Sequence, residues 1–222
     1  MNKPPHTPDR IEYTHTWLSQ GVLPVVVVHS PKQGLEIAEG LLQGGIDQME
    51  ITLRTPDALQ AMREIAKHFP TMKLSAGTVL QPEQFEQAAD AGASLFISPG
   101  LTETLAAHAL KHQHAWVPGV ATASEVMRAL ELGFELLKFF PAMAAGGPKA
   151  LAGITAALSS ARVVPTGGVT VNNLQEWRSI PAVQAVGGTW ITAGLEDGAR
   201  VAPVVAQRAA QALAAWHGHV LV

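Results

Sequence analysis

One lysine stands near the end of an otherwise apolar stretch, Glu135-Leu136-Leu137-Lys138-Phe139-Phe140-Pro141. The run reads as a short strand that proline stops, with Lys138 close to its C-terminal end. Burial disfavours an ammonium relative to the free amine. A free amine in an apolar pocket is the usual nucleophile for a Schiff base with a carbonyl substrate. The alternative is a lysine whose stem follows the strand end while its charge stays in water. A second pair of charges interrupts Met49-Glu50-Ile51-Thr52-Leu53-Arg54-Thr55. Glu50 beside a lysine could move protons, and the planar fork of Arg54 could hold a carboxylate. A plain internal Glu–Lys or Glu–Arg ion pair is the competing reading.

Small residues gather at further points. Ser75-Ala76-Gly77-Thr78-Val79 and Ile97-Ser98-Pro99-Gly100-Leu101 would let backbone approach a ligand closely, although Gly-Thr and Pro-Gly are also ordinary turn chemistry. Pro165-Thr166-Gly167-Gly168 and Val186-Gly187-Gly188-Thr189 each end in a glycine pair whose bare N–H groups suit a phosphate. His108, His112 and His114 include an i, i+4 pair that could ligate a metal. Their neighbours Ala107, Lys111 and Gln113 supply no obvious third ligand. The favoured reading is that they lie near a helix C-terminus and complement its dipole.

Positioning these residues requires a repeated scaffold. Val22–Val28 is a continuous β-branched run, as expected of a strand covered on both sides. Further strands are expected at Ile46–Thr52, Met72–Ala76, Ser94–Ser98, Ala115–Val117, Glu135–Phe140, Val163–Thr166 and Val183–Gly187. Helical spacing follows each of them, at Pro31–Gln43, Asp57–Phe69, Pro82–Ala91, Glu103–His112, Ala123–Leu132, Pro148–Ser159, Val171–Trp177 and Val201–Trp216. Eight strand–helix units at this interval predict a (β/α)8 TIM barrel, preferred here over an open doubly wound sheet. In such a barrel the chemistry lies at the C-terminal ends of the strands. Lys138, Glu50, Arg54 and both glycine pairs fall there, whereas Lys73 opens its strand and belongs to the opposite, stabilising face. Strand alternation puts Lys138 on one side with Leu136 and Phe140, and Leu137 and Phe139 on the other.

The chain of 222 residues is long enough for one substantial core, and 47% hydrophobic with 15% charged residues describes a folded globular protein. A formal charge of −3 without a basic run argues against nucleic acid as a partner. No cysteine is present, which excludes disulfides and thiolate chemistry. No apolar run reaches membrane-spanning length, and residues 1–20 lack the apolar segment of a signal peptide. The expectation is one cytoplasmic domain: a short helical segment over 1–20 (with a helix over Asp9–Gln20), a barrel core over 21–195, and a C-terminal helix and tail over 196–222.

The motifs quoted above, extended through Lys138-Phe139-Phe140-Pro141-Ala142 and Gly187-Gly188-Thr189-Trp190, resemble those of the 2-keto-3-deoxy-6-phosphogluconate (KDPG) and 4-hydroxy-2-oxoglutarate (KHG) aldolase family, in order from about Gly21 to Ala193. The resemblance implies that Lys138 forms the Schiff base and that Glu50 is the general acid and base. It implies that Arg54 and Thr78 bind the pyruvyl carboxylate, that Pro99 shapes the pocket and that Phe140 packs on it. Thr166 would line the substrate site, and Gly167, Gly168, Gly188 and Thr189 would receive the phosphate. It further implies a homotrimer that needs no metal or other cofactor and acts on a phosphorylated keto acid, releasing pyruvate. Ser75, Thr189, Met143 and His29 depart from the commonest family residues. Thr189 keeps a hydroxyl where serine is usual, while His29 and Met143 bear on sugar specificity. Two other functions fit the residues: a non-covalent sugar-phosphate isomerase or epimerase with Glu50 as base, and a silent phosphosugar-binding barrel.

Overall fold

The computed structural model describes Tyr13, residues 17–195 and residues 200–218. Most of the expected Asp9–Gln20 helix, and His219, lie outside the described residues. Among the described residues are nine short parallel strands: β1 (Val22–Val26), β2 (Gln48–Thr52), β3 (Lys73–Gly77), β4 (Leu95–Ile97), β5 (Trp116–Val117), β6 (Gly119–Val120), β7 (Leu136–Phe139), β8 (Arg162–Pro165) and β9 (Val186–Gly188). Between and after them run α1 (Pro31–Gln43), α2 (Ala58–His68), α3 (Glu83–Asp90), α4 (Glu103–His112), α5 (Ala123–Glu131), α6 (Gly147–Ala157), α7 (Leu174–Arg178) and α8 (Val201–His217). Several helices begin where the sequence offers a side-chain oxygen to the free N–H groups. Ser30 caps α1, Thr102 caps α4, and Thr122 with Glu125 forms a reciprocal capping box on α5.

The strands form a curled parallel sheet in two ladders, β5-β4-β3-β2-β1-β9 and β6-β7-β8. The strand expected at Ala115–Val117 is present as β5, and the chain resumes as a further strand, β6, past Pro118. The first piece pairs with β4 and the second with β7. Proline has no N–H to donate, but its carbonyl accepts from Lys138 N at 2.9 Å, so the break itself anchors β7. At the other seam, Val163 bridges Val183 and Thr166 bridges Gly187.

Every residue of β1, β2 and β7 is buried, as expected of strands covered on both faces. Two apolar layers result. Leu23, Ile97, Val117, Leu136 and Val164 fill the inside of the curl, and Trp17 and Leu18 join them. Trp17 Nε1 donates to Ser94 Oγ at 3.1 Å, just before β4, so this plug sits at the N-terminal ends of the strands. The outer layer packs strands against helices and includes Leu137 and Phe139. Lys73 pairs with Asp47 at 3.1 Å at the N-terminal end, on the face expected for stability.

The last helix returns to the first. A side-chain carbon on Gly40 of α1, or on Gly44 just past its end, would strike the Ala202 or Ala206 carbonyl of α8, so the two helices touch backbone to backbone. Gly44→Val would force them apart. Overpacking of this kind costs about 1–3 kcal/mol, or roughly 2–12 °C in melting temperature for a chain of this size. Calorimetry of the variant should show that fall; an unchanged melting temperature would mean α8 does not dock there.

Candidate active site

Strand alternation in β7 turns Leu136 and Lys138 inward and Leu137 and Phe139 toward the helices. Backbone bonds from Lys138 N to Pro118 O (2.9 Å) and from Phe140 N to Val120 O (3.0 Å) hold this register. Glu50 is the central residue of β2, paired in register between Val25 of β1 and Ser75 of β3. Although β2 and β7 are not neighbours, Lys138 Nζ donates across the curl to Glu50 Oε1 at 3.1 Å. Their side chains are 5% and 1% exposed, so neither charge has water to fall back on. Nζ also lies 5.2 Å from the centre of the Phe140 ring. Leu18, Leu23, Ile97, Val117, Val164 and Thr166 complete the wall of the same small cavity. The ion-pair reading of Glu50 therefore describes the geometry, with Lys138 and not Arg54 as the partner.

Glu50 is held by space left for it. A side-chain carbon on Gly77 would run into its carboxylate. The next residue, Thr78, adopts φ 60°, a left-handed conformation that a β-branched residue rarely takes and that carries strain of roughly 1–3 kcal/mol. Its hydroxyl accepts from Arg54 Nε at 3.1 Å. Arg54, Thr78, Gly77 and Glu50 thus form one continuous line on the rim.

The other rim residues connect similarly. Gly167 and Gly168 adopt φ 102° and 80°, which only glycine takes readily, and a side-chain carbon on Gly167 would lie 3.5 Å from Phe140 Cδ2. Asn173 fixes the loop by donating to Gly168 O at 2.9 Å and accepting from Thr170 N at 2.9 Å. Thr166 is buried, and its hydroxyl occupies the room that Gly187 leaves by having no side chain. Gly188 likewise admits the Trp190 ring. Thr189 lines a neighbouring open cavity of about 200 Å³ with His29, Gln33 and Thr192. Pro99 is half-buried, and its carbonyl lies where a side chain on Gly119 would go; Gly119 is the register partner of Lys138. Ser98 steadies that turn, donating to Gly100 O at 2.6 Å and accepting from Trp116 Nε1 at 3.1 Å.

Sequence reasoning missed Gly119 and Trp116 entirely, and read Gly77 as room for a ligand when it is room for Glu50. It also found no acid near the three histidines. Glu86 of α3 supplies one, accepting from His108 Nε2 at 2.9 Å and from His114 Nε2 at 3.2 Å.

Comparison with known proteins gives a consistent result. The family model described as KDPG and KHG aldolase matches residues 15–203. The 2-dehydro-3-deoxy-phosphogluconate aldolase of Pseudomonas aeruginosa is 42% identical over 170 residues, 77% of each chain. The crystal structure of the 2-keto-3-deoxy-6-phosphogluconate aldolase of Zymomonas mobilis with 3-phosphoglycerate superposes with a TM-score of 0.85 at 37% identity, covering 92% of this chain and 96% of that one. The KDPG aldolase of Legionella pneumophila, with pyruvate captured at low pH as a covalent carbinolamine intermediate, gives a TM-score of 0.83 at 35% identity, covering 88% and 96%.

The buried pair predicts a non-additive mutant cycle. Lys138→Met strands a carboxylate without partner or water and should cost about 3–5 kcal/mol. Lys138→Met/Glu50→Leu removes both charges and should recover most of that stability. Urea unfolding of the two single variants and the double variant measures this; additive losses would show that the charges do not interact.

Proposed function

The chain belongs to the KDPG and KHG aldolase family, and from that premise we propose that it cleaves 2-keto-3-deoxy-6-phosphogluconate to pyruvate and glyceraldehyde 3-phosphate through a Schiff base on Lys138. The observation that carries this reading is the 3.1 Å contact between Lys138 Nζ and Glu50 Oε1 under cover of the curled sheet. Passing the proton from Nζ to the carboxylate leaves a neutral amine beside a neutral acid, removing two buried charges in one move. The amine attacks the 2-keto carbon to give a carbinolamine; protonated Glu50 gives its proton to the carbinolamine hydroxyl, which leaves as water, so that an iminium now faces an ionised Glu50. Glu50, directly or through a water, takes the 4-hydroxyl proton. The C3–C4 bond then breaks, its electrons pass into the iminium, and the aldehyde leaves. Glu50 returns a proton to C3 of the resulting enamine, and hydrolysis frees pyruvate and Lys138. The same steps applied to 4-hydroxy-2-oxoglutarate give pyruvate and glyoxylate.

In this proposal Arg54 and Thr78 hold the carboxylate. Arg54 already spends Nε on Thr78, so its terminal nitrogens present a planar fork to the substrate. Phe140 and Pro99 shape the wall, Thr166 lines it, and Gly167, Gly168, Gly188 and Thr189 receive the phosphate. Fixing both ends of the substrate holds the scissile bond over Lys138, an orientation worth several kcal/mol. We read the curled sheet as a closed (β/α)8 barrel, with Pro118 and the Thr166–Gly187 bridge as its seams. A cytoplasmic homotrimer belongs to the same reading; among the described residues no helix is long and apolar enough to cross a membrane.

Lys138→Arg separates this chemistry from non-covalent isomerisation or epimerisation by Glu50. It keeps a cation near the carboxylate but removes the nucleophile. Pyruvate release from 2-keto-3-deoxy-6-phosphogluconate should fall by roughly 10³-fold or more. Turnover close to that of the unmodified chain would sink the covalent reading.

A further inference from the structure

The proposed reaction leaves unused a group of ionisable side chains on the outside of the sheet. Glu86 lies in the first turn of α3, and His108 and His112 stand one turn apart on α4. One ligand atom from each of these three lies within 4.8 Å of the others. Glu86 Oε1 is 2.9 Å from His108 Nε2 and 3.9 Å from His112 Nδ1. His114, just past α4, brings its Nε2 to 3.2 Å from the same oxygen. We propose that this cluster binds one divalent transition-metal ion of the zinc class, ligated by His108, His112 and Glu86, with His114 orienting the carboxylate.

The distances suit an ion. Zinc bonds to imidazole nitrogen and carboxylate oxygen of about 2.1 Å place neighbouring ligand atoms of a tetrahedron roughly 3.4 Å apart. The observed separations of 2.9 and 3.9 Å bracket that edge, and all three ligand atoms lie within 4.8 Å of one another, so side-chain rotation completes the site. Residues i and i+4 share one helix face, which brings His108 and His112 together; their rings are stacked, 4.3 Å apart at 22°, so the exposed His112 ring must turn to share an ion with His108.

The core holds the rings in place. His108 packs 5.4 Å from the fully buried Phe85, and His114 stacks on Phe85 at 4.9 Å and 19° while meeting Phe96 edge-on. His108, the one ligand the core holds, gives up little freedom on binding. His114 Nε2 lies 3.2 Å from Glu86 Oε1 and donates an N–H to the carboxylate. That outer hydrogen bond is the usual partner of a metal-bound carboxylate.

Donor type selects the ion. Two imidazoles and one carboxylate favour zinc, nickel, copper or cobalt over magnesium or calcium, which prefer oxygen. Glu86 and His112 are 47% and 43% exposed, so the ion has an entry path and a face where water fills the remaining position. The consequence is structural: the ion clasps α3 to α4.

The test uses the full-length chain without an affinity tag, stripped with a chelator and titrated with zinc chloride by calorimetry. Glu86→Gln and His112→Gln serve as variants, and pyruvate release serves as the check that each has folded. The expected result is one zinc per chain at micromolar affinity or tighter, a higher melting temperature with zinc, and at least about tenfold weaker binding in each variant. Aldolase turnover should be unchanged in both. No binding at micromolar zinc, or equal affinity in the unmodified chain and both variants, would overturn the site; the second outcome would place the ion elsewhere, for example near His217.

Discussion

An ammonium and a carboxylate, both closed off from water, must answer each other across the inside of a curled sheet. That constraint governs the rest. Taken singly, either charge would be strongly disfavoured in an apolar lining of leucine, isoleucine and valine. Together they form a hydrogen-bonded pair of opposite charge, 3.1 Å apart, contributed by β2 and β7. A buried pair of this sort adds little to stability compared with apolar residues. In the proposed mechanism a single proton transfer turns it into a nucleophile and an acid, as a Schiff-base aldolase requires.

The two ends of the sheet divide the labour. At the N-terminal ends of the strands, Trp17 and Leu18 plug the inside and Lys73 meets Asp47, and these contacts hold the chain together. At the C-terminal ends, side chains are small or absent wherever something else must fit. Gly77 makes way for Glu50, Gly119 for the Pro99 turn, Gly187 for Thr166 and Gly188 for Trp190. Thr78 keeps a left-handed backbone that glycine would accept without strain, and its hydroxyl engages Arg54. Strain retained beside a polar contact is expected of a binding rim more than of a connecting turn.

Much of this was legible in the residues. Lys138 could be placed because a four-residue strand alternates, and once Leu136 faces inward Lys138 follows. The strand–helix repeat could be read because fully buried parallel strands are continuous apolar runs; α1 and α4 match the residues expected from spacing. The interruption at Pro118 was not legible, since a proline after an apolar run reads as the strand's end. Only the pairing of β6 with β7 shows that the chain resumes. The space-making glycines were equally hidden, because a missing side chain does not announce what will occupy its place. Glu86 was out of reach for a third reason. It is 22 residues from His108 in sequence, and only the packing of α3 beside α4 joins them.

The central claim is that Lys138 forms a covalent bond to the keto carbon, and reductive trapping tests it most directly. Incubation with pyruvate and sodium borohydride, followed by peptide mass mapping, should place a single reduced pyruvyl adduct on Lys138 and abolish activity in proportion to labelling. Failure to trap any adduct, or its appearance on Lys149 with Lys138 unmodified, would contradict the account.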